Sequence, residues 1–296
     1  MAYSFLCRRA EIIQAIRTFF ISREYLEVDT PIRLPCLIPE AHIEPEESSG
    51  WFLQTSPEMC MKRLLAAGHN KIFQICRCFR RKERGSRHLP EFTMLEWYRA
   101  GIDYADLMAE CADLLRFVAD KVDSPAQSVA ALLLQAEPEY LTVLRAFALY
   151  APVSADRALA EDSFDEILVR YVEPNLGKGR PTFLYDYPAG LGSLARLKNE
   201  DNSVAERFEL YVDGLELANG FSELTDVGEQ RQRFVKERAI IEGQGRKPGP
   251  MPDRFLADLG ELQSAAGIAL GVDRLVMLLC GARCIDEVVA FTPETL

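Results

Sequence analysis

Between Ala10 and Tyr25 the apolar residues Ile12, Ile13, Ile16, Phe19 and Phe20 return every three to four positions, the stripe of a helix packed on one side. Pro31 and Pro35 then hold the chain extended. A second helix is predicted from Thr55-Ser56-Pro57-Glu58 to about Gly68. Ser56 can cap it, Pro57 suits the first helical position, and Glu58 lies at the positive end of the dipole. Lys71 to Phe79 and Glu91 to Tyr98 are rich in aromatic and branched residues and are joined by a polar stretch, which predicts an antiparallel hairpin with a long loop.

From Tyr104 to about Tyr171 helical patterns alternate with turn signals such as Ser124-Pro125 and Ala151-Pro152, so a helical insertion is expected at about 104–181. Strand patterns return at Thr182 to Tyr187 and across Arg207 to Phe221, where Asp213-Gly214 signals a tight hairpin. Asp226 to Glu242 reads as a charged helix and Gly243 to Pro252 as a loop. Gly267 to Gly271 then opens a short strand that runs into a helix ending at Leu279.

Composition adds class and charge. With 296 residues, 48% hydrophobic and 27% charged, the chain is an ordinary globular protein and wholesale disorder is excluded. Its 34 basic and 45 acidic residues leave −11, which argues against a protein that coats nucleic acid or anionic membrane through bulk charge. The eight cysteines include no Cys-x-x-Cys pair and read as reduced, packed thiols. Cys76 and Cys78 share one face of a strand, and with only three histidines a structural zinc site is not expected. No apolar stretch approaches the ~18 residues of a membrane span, and Met1 to Arg9 is too short and polar for a secretory signal, so a cytoplasmic soluble protein is expected.

Against this acidic background, the window Arg77 to Arg87 stands out. It holds Arg77, Arg80, Arg81, Lys82, Arg84 and Arg87 against Glu83 alone, six minus one or +5, and reads as an anion site or a solvated loop tip. Alternation along the next strand puts Phe92, Met94, Glu96 and Tyr98 on one face. A buried carboxylate needs a cation, so Glu96 suits either a ligand ammonium or an internal arginine. Glu216, Asn219 and Glu223 offer oxygen ligands of the kind magnesium takes when it carries phosphates. On a straight strand the two acids face opposite sides, and a bulge at Gly220 would bring them together. Arg274, just after Gly267 to Asp273, suits a nucleotide phosphate or an adenine face, or else a salt bridge to Asp273 or another acid.

Together these segments resemble the catalytic core of the class II aminoacyl-tRNA synthetases, and most closely its lysyl branch, from about Arg8 to Phe291. The helix at 10–25 with Tyr25-Leu26-Glu27-Val28-Asp29-Thr30-Pro31 resembles motif 1, Phe79-Arg80 through His88-Leu89-Pro90-Glu91-Phe92 resembles motif 2, and Gly267 to Arg274 resembles motif 3. Thr55-Ser56-Pro57-Glu58, Leu95-Glu96-Trp97-Tyr98, Val204 to Glu209 and Glu216 to Phe221 are similar to the truncated paralogues in that branch that modify translation elongation factor P.

The resemblance implies one α+β catalytic domain over residues 1–296, an antiparallel sheet flanked by helices, without the anticodon-binding barrel that would precede motif 1. It implies ATP and Mg2+ as cofactors, a homodimer, and elongation factor P as protein substrate. By position, Ser56, Glu58, Glu96, Tyr98, Asn219 and Gly271 would surround the amino acid, and Phe92 would meet adenine. Arg80 would contact the α-phosphate, His88 and Arg274 the distal phosphates, and Glu216 and Glu223 would hold magnesium. Ala269 stands where lysyl-tRNA synthetases usually carry glycine and the β-lysine enzymes alanine. One departure is Lys82, where the family usually has an acid two residues after the motif 2 arginine. Either Glu83 serves in its place or Lys82 contacts a phosphate directly. The implied reaction is activation of (R)-β-lysine as an adenylate and its transfer to a lysine ε-amine. A minimal enzyme charging a tRNA and an inactive dimeric regulatory paralogue are the alternatives.

Overall fold

The computed structural model describes residues 2–123 and 126–296, so the Ser124-Pro125 turn signal lies outside the described residues. A nine-stranded sheet forms the frame, and its strands in chain order are β1 (Leu26–Glu27), β2 (Lys71–Phe79), β3 (Glu91–Ala100), β4 (Glu139–Thr142), β5 (Thr182–Pro188), β6 (Leu197–Lys198), β7 (Asp201–Val212), β8 (Leu215–Ser222) and β9 (Ala265–Gly271). Across the sheet the order is β1-β2-β3-β9-β8-β7-β5-β4, with β6 paired to β7. Every pairing is antiparallel except β1 with β2 and β4 with β5, at the two edges.

Helix α1 (Ala2–Ser22) covers one face of this sheet. Of its predicted stripe, Ile12, Ile16, Phe19 and Phe20 are fully buried with α3 (Tyr104–Lys121) and α5 (Val272–Cys280), while Ile13 packs on that core half-buried. Phe20 stacks on Phe73 of β2 at 4.8 Å between centroids and meets Trp97 of β3 at 5.2 Å. The stripe is therefore buried within the chain and does not itself supply a surface for the homodimer that the motif 1 resemblance implies. On the other face, α2 (Glu58–Ala66) and α4 (Val227–Gly243) flank the cleft described below. Ser56 accepts from the Glu58 amide at 3.0 Å, as its place ahead of the helix predicts, and Asp226, read from the sequence as helical, instead caps α4 by accepting from the Glu229 amide.

The segment 104–181 departs from a purely helical insertion. Helix α3 belongs to the central core, with Leu107, Cys111, Leu114 and Val118 fully buried, and β4 extends the sheet by pairing with β5. Four residues, Glu139 to Thr142, are too few to show an alternating pattern. The short helices from Val143 onward gather a second apolar cluster in which Phe147 stacks on Phe164 at 4.7 Å. The Asp213-Gly214 turn has positive φ at both residues, 52° and 71°, the geometry that closes a two-residue hairpin. Among the described residues, no helix is long and apolar enough to cross a membrane.

Candidate active site

Four central strands set the floor of the site. Glu96 of β3 lies opposite Ala269 of β9, Ala269 opposite Asn219 of β8, and Asn219 opposite Glu209 of β7, so these four residues form one rung across the sheet. Alternation then puts Phe92, Met94, Glu96 and Tyr98 on the face of a cleft of about 580 Å³, as predicted. Gly267, on the same face of β9, leaves room for the Tyr98 ring: a Cβ there would fall 2.1 Å from it.

One end of the cleft is a nest of carboxylates. Glu96, 1% exposed, accepts from the Ser56 hydroxyl at 2.6 Å and from the Tyr98 hydroxyl at 2.8 Å. No arginine pairs with it among the described residues, which removes the internal salt bridge as its role. Lys62, also 1% exposed, bridges Glu58 at 2.5 Å and Glu223. Burial, followed by the nearby Glu58, pushes Glu96 up to about 8, and burial likewise raises Glu223 against the pull of Lys62. Three acids thus surround a single cation. Lys62 escaped the sequence reading, although its place four residues after Glu58 on a helix was a usable signal.

The other end is cationic. Arg80, just beyond β2, spreads over the Phe92 ring at 5.2 Å, its Nε is buried without a partner, and its acidic contact is Glu83 at 3.9 Å. The rest of the basic window is largely neutralised. Arg84 pairs with Asp286 and Glu294, Arg81 and Lys82 with Glu44, and Arg77 with Glu91. Arg274, in the first turn of α5, holds the Glu216 carboxylate at 3.2 Å and the His88 ring at 2.7 Å. It makes no pair with Asp273, which instead takes Arg9 at 2.5 Å and the Thr93 amide at 2.7 Å, tying α1 to β3. Burial and then Arg274 lower the His88 pKa.

The proposed metal pair needs correction. Leu217 is an extra residue on β8, because Leu210 pairs with Ala218 but Tyr211 with Glu216. This bulge, not Gly220, turns Glu216 onto the face of Asn219. Gly220 pairs regularly with Ile268, and its hydrogen is needed because a Cβ would meet the Phe208 ring at 2.6 Å. Glu223 lies seven residues along from Glu216, about 20 Å at strand rise, and is bound to Lys62, so the two acids do not share an ion. The acid that acts on Glu216 is Glu209, which, after burial, is the main cause of its raised pKa. Glu209 is held by Arg207 at 2.6 Å and by the Tyr187 and Tyr211 hydroxyls. The bulge decides this pairing, and nothing in the sequence locates it.

The profile of the class II tRNA synthetases (D, K and N) matches residues 2–295. The chain belongs to this family. It is also 44% identical over 310 residues to the elongation factor P–(R)-β-lysine ligase of Salmonella typhi, with 98% of this chain and 95% of that protein covered. The proteins of the same name from Salmonella paratyphi B and Salmonella heidelberg are 44% identical over 312 residues, with the same coverage. For a class II synthetase of this group, the motif 2 departure has a structural outcome. Lys82, at φ 68°, forms the exposed tip of the turn and pairs with Glu44 at 2.8 Å, while Glu83 lines the cleft.

Proposed function

We propose that the chain activates (R)-β-lysine with ATP as an adenylate and transfers it to a lysine ε-amine of elongation factor P, the activity named for the relatives above. The observation that carries this reading is the excess of carboxylates over cations at the amino-acid end, Glu58, Glu96 and Glu223 around Lys62. Two ammonium groups, the number β-lysine brings, balance the two charges left over.

Ser56, Glu58, Glu96, Tyr98 and Asn219 hold the amino acid, with Ala269 and Gly271 shaping the floor. The carboxylate attacks the α-phosphorus in line, and Arg80, unpartnered at Nε, neutralises the charge that develops there. His88 and Arg274 hold the distal phosphates, Phe92 supports adenine and Glu83 takes the nucleotide contact that Lys82 cannot reach.

Among the described residues, no cluster of three or more His, Cys, Asp or Glu side chains forms a complete metal site. That fits magnesium, which takes one or two carboxylates and completes its shell with water and substrate phosphates, and Glu216 beside Glu209 supplies them. When bound, Mg2+ would neutralise phosphate charge as ATP reacts. A translation factor as acceptor places the reaction in the cytoplasm.

The test is amino-acid-dependent ATP–pyrophosphate exchange with lysine and both β-lysine enantiomers, followed by mass analysis of elongation factor P. Exchange with (R)-β-lysine, one lysyl-sized mass gain on the factor, and a loss of exchange by about 100-fold or more in Arg80→Ala are expected. Undiminished exchange in that variant, or charging of tRNA with no gain on the factor, would overturn the assignment.

A further inference from the structure

The transfer step needs a neutral amine, and the groups already placed leave no base for it. Glu40 is the candidate the fold supplies. It lies in the connection between Arg33–Leu34 and Glu47–Ser48, and it lines both the cleft and a neighbouring cavity of about 230 Å³. Its carboxylate has no hydrogen-bond or ion-pair partner among the described residues. The backbone around it is pinned: the Ala41 amide donates to Glu237 at 2.7 Å, Arg246 donates to the Ala41 carbonyl, and the Arg81 amide donates to the Glu44 carbonyl at 2.7 Å.

The position of Glu40 is between the two halves of the reaction. The charges that act on it are Glu58 and Lys62 of α2 at the amino-acid end, Arg80 at the α-phosphate end, and Glu237 of α4. The bond to be broken in the adenylate joins those two ends. Lys62 and the two substrate ammonium groups balance Glu58, Glu96 and Glu223, and Arg80 faces the phosphate, so Glu40 remains for a third ammonium. The side cavity has apolar walls from Leu37, Ile38, Phe52 and Ile241, a lining suited to the methylenes of a lysine side chain. Its other charged lining residues are Glu44 and Glu47 against Arg81, Arg246 and Lys247, of which Arg81 pairs with Glu44 and Arg246 donates to the Ala41 carbonyl and to Gln244.

We propose that Glu40 receives the acceptor: the lysine ε-ammonium enters along the side cavity, gives a proton to the Glu40 carboxylate, and attacks the carbonyl carbon of the adenylate. The carbon–nitrogen bond forms as the carbon–oxygen bond to phosphate breaks, and that electron pair leaves with AMP. The remaining surplus proton on nitrogen, and then the one on Glu40, pass to solvent. Burial, followed by Glu58, raises the Glu40 pKa to about 7, near the operating pH where a base is most effective.

This inference rests on the proposed ligase reading, and the test separates the two. The full-length protein is given ATP, (R)-β-lysine and either elongation factor P or hydroxylamine, which is neutral near pH 7 and needs no base. In Glu40→Gln the rate of transfer to the factor, divided by the rate of hydroxamate formation by the same variant, is expected to fall about 100-fold or more below the wild-type ratio. Glu40→Asp is expected to recover part of it. An unchanged ratio, including one in which both rates fall together because Glu40 only holds the amino acid, would overturn the inference. Absence of both products with the wild-type protein would instead sink the ligase reading, and this inference with it.

Discussion

Ala269 lies directly across the paired strands from Glu96, and both side chains line the same cleft. On the proposed reading, a methyl at this point would crowd the α-amino group of lysine and leave space for a β-amino group displaced by one carbon. Ala269→Gly is expected to raise pyrophosphate exchange with α-lysine relative to (R)-β-lysine by about tenfold or more, within the ~1–3 kcal/mol a methyl-sized change commands. An unchanged ratio in a folded, active variant would remove Ala269 from the pocket's selectivity.

Lys62 is the internal counter-ion of the pocket. Lys62→Met leaves Glu58 and Glu223 without their buried cation and is expected to lower unfolding stability by about 3–5 kcal/mol in denaturant titration. The double variant Lys62→Met/Glu223→Gln should lose less than the single one. Equal stability of Lys62→Met and wild type would show that the pair contributes nothing.

Protonation couples to ligand binding. Without ligand, Glu96 keeps its proton up to about pH 8, whereas in the unfolded chain it loses it near pH ~4.3. The native state therefore binds more protons across that window, and this group's contribution makes stability fall as pH rises through it. An arriving ammonium reverses the preference and expels the proton. Calorimetric titration of (R)-β-lysine at pH 7 in two buffers of different ionisation heat should show net proton release, diminished in Glu96→Gln. Identical heats in both buffers would contradict it.

Self-association is expected from a different surface than the α1 stripe. Ile21 at the end of α1 is 59% exposed, Leu26 of β1 50%, and Ile32 42%, all within or beside the segment that resembles motif 1. We expect light scattering at micromolar concentration to give twice the chain mass, and Ile21→Glu combined with Leu26→Lys to give the monomer. A monomeric wild type would refute this.

The sequence by itself determined the elements whose signals are local. The hairpin of β2 and β3, the face shared by Phe92, Met94, Glu96 and Tyr98, the Asp213-Gly214 turn and the capped start of α2 all follow from neighbouring residues, because alternation, turn chemistry and capping act within a few positions. The ordered motifs likewise exposed Arg80 and Arg274. Only the tertiary structure decided which acids meet. The extra residue at Leu217 set Glu216 with Glu209 and left Glu223 to Lys62. Nonlocal pairing across β7, β8 and α2 fixes that choice, and no residue near Leu217 announces the shift. The burial of the α1 stripe against α3 was equally unreadable, since an apolar face does not say whether its own chain or another will cover it.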